Sequence, residues 1–232
     1  MGRREIYRNE LRGLGHSTWF GYLREHSGLP GPRANLELLQ AVADAGDARR
    51  FDEMIATDEE YLVACGVVGL GRLLAAGAGG DIADRLRLHA VDPRWRVREA
   101  VAMALQRLGD ADADQLFEMA EAWAADPHPL VQRAAIAGVC EPRLLRHSEP
   151  AAQAIEICDR VSQALADRPA EQRREPEVRS LRQALGYCWS VAVAADPTPG
   201  LVKFHALSRH NDPDIAWIVR SNAKKSRLAK LL

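Results

Sequence analysis

Apolar residues recur along most of the chain at the spacing of helices that bury one face. Between Val97 and Leu108 the apolar positions fall three and four residues apart, which places them on one side of an α-helix. Leu116, Ala120 and Trp123 form a similar stripe further along the chain. The pattern therefore predicts an all-α fold.

The stripes belong to an internal repeat. Asp58, Asp92 and Asp126 follow one another at intervals of 34 residues, and a valine comes five positions after each of them. Further copies begin near Val178 and at Asp214. Repeats of variable length are typical of stacked helix pairs, because a single pair cannot bury its own apolar stripe.

Each copy is predicted to contain two helices, the second of which starts near the recurring valine. The first helices of the five copies are predicted over about 47–56, 80–90, 112–124, 149–167 and 199–209. Two earlier helices are predicted over about 17–26 and 34–45, on either side of a Gly-Leu-Pro-Gly-Pro segment.

Glycine and proline positions mark where these helices are expected to begin and end. The glycine-rich segments at 76–80 and around Gly109 are expected to end helices. An aspartate followed by a proline is expected to cap a helix start at three places, 92–93, 126–127 and 212–213. Three glycines in the second helix of the first copy indicate close helix packing: Gly66, Gly69 and Gly71.

These elements predict one continuous structure with an N-terminal helical cap over 1–46 and a repeat region over 47–232. We expect the repeat region to form an α-solenoid of about five helix pairs, a short right-handed superhelix whose second helices line the concave side. Trp123 and Trp189 fall on apolar stripes and are predicted to lie in the core.

The segment Asp-Pro-Arg-Trp-Arg-Val-Arg-Glu-Ala at 92–100 resembles the signature of HEAT repeats, in which an aspartate precedes Val-Arg and a small residue. Segments that begin at Asp126 and Asp214 resemble it as well. In the segment from Asp126, Gln132 stands in the place of the motif arginine. The resemblance covers roughly 47–232 and implies an armadillo-like helical fold. Superhelices of this kind serve many functions, so it implies no particular chemistry.

The same repeat occurs in DNA-alkylation-repair glycosylases of the AlkD and AlkC type. The segment 133–144 resembles an AlkC-type stretch that ends in Arg-Pro-Arg-Leu, although Ala137 and Gly138 stand where that family has a glutamate. A glycosylase needs a carboxylate near an aromatic clamp, and Glu99, four residues after Trp95, is the candidate.

Two sets of side chains recur in register on the second helices. The aromatic set comprises Tyr61, Trp95 and Trp217, and the basic set comprises Arg98, Arg179 and Arg220. Exposed columns of these residues would contact a partner, neutralise phosphates or stack on bases. The alternative is structural: the rings fill gaps between repeats, and the arginines bond motif aspartates of neighbouring repeats in a ladder, the aspartates being Asp92, Asp126 and Asp214.

The C-terminal region is strongly basic. The segment 215–232 has no acidic residue and carries five basic ones, Arg220, Lys224, Lys225, Arg227 and Lys230. Lys224, Lys225 and Arg227 are therefore further candidates for binding, with compensation of the helix dipole as the alternative. The segment 110–126 is acidic and is expected to face outward.

Composition limits the classes that remain. In 232 residues, 31 basic side chains nearly balance 32 acidic ones, which is a globular composition without the strong positive charge of many nucleic-acid-binding proteins. The four cysteines lie far apart and are expected to be buried thiols in a reducing compartment. Without a secretory start or a long apolar run, we expect a cytoplasmic protein with no membrane partner.

No metal-binding or phosphate-loop motif is present, so neither a metal nor a cofactor is expected. The sequence favours a non-enzymatic binding or scaffold protein whose concave face receives a macromolecular partner, with a protein as the first expectation. The alternative is a DNA-binding or alkylated-DNA-repair protein. A chaperone-like or lyase-like protein that serves a cofactor-bearing partner is a third possibility, and the oligomeric state stays open.

Overall fold

The computed structural model describes residues 2–78 and 81–232, and within them all regular secondary structure is helical. The α-helices of this part of the chain are α1 Arg3–Gly13, α2 Trp19–His26, α3 Leu36–Ala45, α4 Ala48–Ile55, α5 Glu60–Ala75, α6 Ile82–Ala90, α7 Trp95–Ala111, α8 Ala113–Ala124, α9 Pro129–Val139, α10 Ser148–Ala166, α11 Pro176–Ala195, α12 Pro197–Ser208, α13 Pro213–Ala223 and α14 Ser226–Ala229. Short 3₁₀ turns lie at His16–Thr18 and Gln172–Arg174. The predicted all-α class is confirmed.

The helix pairs of the repeat are also present. The predicted first helices correspond to α4, α6, α8, α10 and α12, and each packs against the second helix that follows it in the chain. The two predicted N-terminal helices correspond to α2 and α3, whereas α1 and α14 lie outside the predicted set. Residues 79 and 80, which belong to the predicted glycine-rich segment and to the predicted start of helix 80–90, lie outside the described residues.

Contacts divide the chain into two compact units, the first ending at Ala111 and the second covering Asp112–Leu232. In the first unit α5 is central and packs against α3, α4 and α7. In the second unit α11 is central and packs against α9, α10 and α13. The cap over 1–46 and the continuous superhelix over 47–232 stay predictions.

Close packing around α5 explains its glycines. Added methyl groups at Gly66 and Gly69 would overlap residues of α4, and one at Gly71 would overlap the backbone and side chain of Ala104 on α7. Every residue from 61 to 71 is buried as a result. The prediction of close helix packing at these glycines is confirmed.

The core of the second unit is built around α11. The ring of Trp189 is fully buried, and its centroid lies 6.0 Å from that of Phe204 on α12. The indole Nε1 donates a hydrogen bond of 3.0 Å to Ser162 Oγ, which satisfies the polar atom of an otherwise apolar side chain. Trp123 is buried as well, so both tryptophans predicted for the core lie there.

The helix end predicted around Gly109 is confirmed, since α7 ends two residues later. Helix α7 continues through Gly109 to Ala111, because one glycine costs a helix only about 1 kcal/mol and α7 gains more from packing along α5. The break follows at Asp112, whose side chain caps α8 by accepting a hydrogen bond of 2.9 Å from the Gln115 N–H.

The aspartates of the three Asp-Pro pairs all accept hydrogen bonds from backbone amides near a helix start. Asp212 is the N-cap of α13 and accepts from the amides of Asp214 and Ile215. Asp92 and Asp126 each accept from the amide two residues later, at the turns that precede α7 and α9. The chemical role predicted for these aspartates is confirmed.

Candidate binding surfaces

Tyr61, the first of the predicted aromatic column, is buried near the start of α5. Only 5% of the residue is exposed, and its hydroxyl donates a hydrogen bond of 2.8 Å to the backbone oxygen of Asn35. Burial raises the pKa of this phenol far above its usual range. Tyr61 therefore joins α5 to the start of α3 rather than offering a ring to solvent.

Trp95, the second aromatic, begins α7 and is 52% exposed. The guanidinium of Arg96 lies 5.4 Å from the centroid of its ring and also donates a hydrogen bond of 3.0 Å to Glu60. Arg98 donates to the backbone oxygens of Asp92 and Pro93, at 2.6 and 2.8 Å, in the turn that precedes its own helix. Glu99 lies on α7 one turn after Trp95. It is half-buried and also interacts with another residue.

A cleft of about 480 Å³ lies in the first unit beside these residues. Its apolar lining includes Leu29 and Pro30, together with Tyr61. Its charged groups come in opposite pairs, since Arg24 binds Glu59 at 2.7 Å and Arg96 binds Glu60 at 3.0 Å. A cleft in which these cations already have carboxylate partners attracts no particular charge.

Trp217, the third aromatic, packs against α11 in the second unit. Its ring edge lies over Gly186, where an added methyl group would come within 2.7 Å of a ring carbon. The guanidinium of Arg182 lies 4.8 Å from the ring centroid and donates a hydrogen bond of 2.6 Å to Asp214. Trp217 is half-buried by these neighbours, so the same repeat position has a different environment in each unit.

An exposed tyrosine that the sequence reasoning missed lies close to the C-terminal cations. Tyr187 on α11 is 42% exposed, with Arg227 at 5.1 Å and Lys225 at 5.6 Å from its ring centroid. Arg227 also donates a hydrogen bond of 3.0 Å to the Tyr187 hydroxyl. Two predicted binding residues are thus gathered around one ring. The available signal was its position on α11, eight residues after Arg179.

Three other predicted binding residues of the second unit, Arg179, Arg220 and Lys224, are exposed. No side chain in the described part of the chain forms an ion pair or hydrogen bond with them. We use the name C-terminal cationic surface for these three residues together with Tyr187, Trp217, Lys225 and Arg227, which are carried by α11, α13 and the residues around α14. Exposed cations without counterions are free to meet an anionic partner.

Two of the motif aspartates, Asp92 and Asp214, bind arginines other than those that the repeat pattern suggested. Asp92 binds Arg94 at 2.7 Å, and Arg94 also binds Asp58 of the preceding copy at 2.7 Å. Asp214 binds Arg182 of the preceding copy, and Asp212 binds Arg173. A ladder between repeats therefore exists, and it leaves Arg179 and Arg220 outside it.

Hydrogen bonds in this ladder change the acidity of two carboxyl groups. Burial alone would raise the pKa of Asp92, but hydrogen bonds from Arg94 outweigh it and hold the pKa below the usual value. Asp212 behaves in the same way through Arg173 and the amides of α13. Both carboxylates therefore stay ionised at neutral pH as partners of these arginines.

The four cysteines are buried free thiols. Cys65 lies in the first unit, and burial raises its pKa. In the second unit the sulfur atoms of Cys140 and Cys158 are 3.6 Å apart, and the sulfur of Cys188 lies 3.6 Å from the backbone oxygen of Ile136. Among residues 2–78 and 81–232, no grouping of three or more histidine, cysteine, aspartate and glutamate side chains is arranged to hold a metal ion.

Comparisons with known proteins do not assign the chain to a family. No family model matches the sequence, and no curated protein matches it. Two crystal structures of engineered proteins from the Northeast Structural Genomics Consortium are similar along the whole chain, with TM-scores of 0.40 and 0.39 and sequence identities of 16% and 14%. They cover 100% of this chain and 99% and 98% of their own, and at such low scores they carry no argument about function. In the part of the chain that the structure describes, no helix is long and apolar enough to cross a membrane.

Proposed function

We propose that the protein is a non-enzymatic binding protein of the HEAT-like class and that it receives a macromolecular partner on the C-terminal cationic surface. The observation that carries the proposal is the exposed Tyr187 ring, which has both Arg227 and Lys225 close to its centroid. An aromatic ring and several unpaired cations on neighbouring helices resemble the residues that dominate binding energy in protein interfaces.

Two of the helices that carry this surface, α11 and α13, are second helices of the proposed repeat. If an N-terminal cap over 1–46 is followed by a continuous solenoid over 47–232, the second helices α11 and α13 line its concave side. Arg179, Trp217 and Arg220 belong to these two helices. The proposed location is the cytoplasm, which the four free thiols support.

A protein partner with an acidic surface is the first candidate. Arg182 already forms an ion pair with Asp214, whereas Arg179, Arg220 and Lys224 are exposed and can pair with carboxylates of a partner. Long basic side chains on a surface steer an acidic partner and then pair with it. The partner would contact the ring of Tyr187 at the centre of these charges.

The test compares two double variants with equal charge changes. Arg220→Glu with Arg227→Glu alters the cationic surface, and Arg146→Glu with Arg160→Glu alters exposed arginines elsewhere in the second unit. The protein bound by wild type in lysate of the source cells is identified and then titrated in purified form. We expect the surface variant to lose binding and the control to keep it. Equal binding by the two variants would exclude this surface.

DNA is the second candidate, because cations beside an exposed aromatic ring also fit phosphates and unstacked bases. Fluorescence anisotropy with a labelled duplex at two salt concentrations tests it. Binding that weakens steeply with salt and is lost in the surface variant, while the control variant still binds, would replace the protein partner with DNA.

A repair activity would add Glu99 as a proton donor or acceptor. It predicts base release from a methylated duplex by wild type and a loss of that release in Glu99→Gln. Release at equal rates by both proteins would exclude Glu99 from the chemistry.

A further inference from the structure

A cavity in the first unit is lined mainly by arginine side chains. It has a volume of about 750 Å³, within the range of sites that hold small molecules. Its lining consists of Gly2, Arg4, Glu5, Arg8, Arg12, Asp44, Arg72 and Arg107. Five cations and two carboxylates therefore line one cavity. This cavity belongs to the first unit, whereas the C-terminal cationic surface belongs to the second.

Three of these arginines form a stripe along one helix. Arg4, Arg8 and Arg12 follow one another at intervals of four residues on α1, which places them on one side of that helix. Helix α1 packs against α3, whose last turn contains Asp44. Like charges at this spacing repel one another, so the stripe lowers the stability of α1 unless anions lie beside it.

One carboxylate serves two of the arginines. Asp44 accepts hydrogen bonds of 2.7 and 2.8 Å from Arg4 and one of 2.6 Å from Arg107. Two further carboxylates, Glu37 and Asp110, attract Arg4 from outside the cavity lining. Arg4 and Arg107 are thereby fixed in position, and their charges are largely balanced.

Among the described residues, no carboxylate lies in hydrogen-bond contact with the other three arginines. Arg72 donates to the backbone oxygens of Ala43, Asp44 and Gly46 at the end of α3. Arg8 lies 3.7 Å from Glu5, and its buried Nε has no hydrogen-bond partner among residues 2–78 and 81–232. The side chain of Arg12 is exposed and makes no ion pair within the same residues.

The helix start at the cavity adds donors of the same kind. Gly2, which lines the cavity, is the N-cap of α1 and has no side chain to accept from the first amides. Open space surrounds its Cα, with no described atom within 4 Å of an added methyl group. Free amides at a helix start and guanidinium groups both prefer oxygen anions.

We propose that this cavity is a binding site for a small phosphorylated molecule. Guanidinium groups bind the oxygens of a phosphate in pairs, and the five arginines of the lining outnumber its two carboxylates, which leaves a net positive charge in the cavity. A compact anion with two or more charges fits better than a single carboxylate, because several guanidinium groups converge from α1, α5 and α7. The inference does not depend on the function proposed for the C-terminal cationic surface.

Inorganic pyrophosphate is the probe for this site, titrated into the full chain by isothermal calorimetry at low ionic strength. The variant Arg8→Gln with Arg12→Gln removes two donors without touching the Asp44 network. The matched control is Arg3→Gln with Arg33→Gln, which removes two exposed charges of the same unit outside the cavity lining; Arg3→Gln alone is its single-charge version. We expect the double variant to weaken binding by about tenfold or more and the control by less than about twofold.

Three outcomes would overturn the proposal. They are absence of binding by wild type at millimolar pyrophosphate, equal affinity in wild type and the double variant, and equal weakening in the double variant and the Arg3→Gln with Arg33→Gln control. Circular dichroism of each variant establishes that the helices persist. Thermal unfolding with and without pyrophosphate gives a second readout, since a ligand that binds the native state raises the midpoint of wild type and of the control alone.

Discussion

The two compact units join successive second helices in different ways. In the first unit α5 meets α7 through Gly71 and Ala104, two small residues that bring the helix backbones close together. In the second unit α11 meets α13 through Gly186 and Trp217, a small residue beneath a large ring. One repeat position thus holds an exposed tryptophan in the first unit and, in the second, a half-buried tryptophan whose ring lies over Gly186.

The arginine links between copies also run in opposite directions. In the first unit Arg94 and Arg96, near the start of α7, reach back to acidic residues at the start of α5. In the second unit Arg182 on α11 reaches forward to Asp214 on α13. Ion pairs therefore link neighbouring copies in both units. The arginine comes from the later copy in the first unit and from the earlier copy in the second.

The largest difference between the units is expected at the two glycines. Gly71→Ala should lower the free energy of unfolding by about 3 kcal/mol, because the new methyl group meets the backbone of α7 and the helices must separate. Gly186→Ala should change it by less than about 1 kcal/mol, because the ring edge of Trp217 can shift and alanine favours the helix. Urea unfolding followed by circular dichroism measures both.

Gly77→Ala is not a suitable control for these variants, because Gly77 has a positive φ of 74° that disfavours other residues. Gly13 is better suited, since no described atom lies near an added methyl group there. Equal losses at Gly71 and Gly186 would show that the two contacts are alike after all.

A smaller difference is expected at the two asparagines that act as hydrogen-bond hubs. Asn222 is fully buried, donates to the backbone oxygens of Leu185 and Ile218, and accepts from the Ser190 amide. Asn222→Ala leaves buried backbone groups without these bonds and should cost about 2 kcal/mol.

In the first unit Asn35 caps α3 and is only half-buried. Water can replace part of its bonding, so Asn35→Ala should cost about 1 kcal/mol. Thermal unfolding of the two variants measures the difference. A larger loss at Asn35 than at Asn222 would contradict the idea that burial sets the cost.

The smallest expected effect concerns acid. Burial would raise the pKa of Asp44, but hydrogen bonds from Arg4 and Arg107 hold it below the usual value, and Asp92 is lowered similarly by Arg94. A lowered carboxyl pKa stabilises the folded state above the unfolded pKa of about 4, and this contribution is lost as pH falls through the folded pKa.

In the described part of the chain, clearly lowered carboxyl pKa values include those of Asp44, Asp47, Glu53, Glu59 and Asp92 in the first unit and that of Asp212 in the second. Below about pH 4 the first unit should therefore open earlier. The test is limited digestion with pepsin from about pH 4 down to about pH 2, a range in which these carboxyl groups become protonated. Mass spectrometry then locates the first cuts. First cuts in Asp112–Leu232 would contradict the expectation.

Much of the fold could be predicted from the sequence because the repeat signals are local. The apolar stripe that begins at Val97 and the cap at Asp212 each depend on residues within a few turns, and both were found where predicted. Helix α1 was missed because only Leu11 of its residues is buried, which leaves almost no apolar period. The helix end predicted around Gly109 falls two residues later, at Ala111, because packing along α5 outweighs the weak helix preference of that glycine.

The candidate sites were harder to predict because they depend on neighbouring helices. Tyr61 and Trp217 share a repeat position, but their exposure is decided by residues such as Asn35 and Gly186 on other helices. The arginine stripe of α1 is visible in the sequence at intervals of four residues, yet its meaning requires Arg72 and Arg107 from distant helices. Spacing in one helix gives a face, and only packing shows what that face meets.

Both units contain buried cysteines, so thiol labelling can follow the opening of each unit separately. Cys65 is the single cysteine of the first unit, and the second unit contains the other three. A bulky thiol reagent reaches these sulfur atoms only when the surrounding helices separate. The labelling rate at Cys65, compared with the rates in the second unit, therefore gives the opening frequencies of both halves from one unmodified sample.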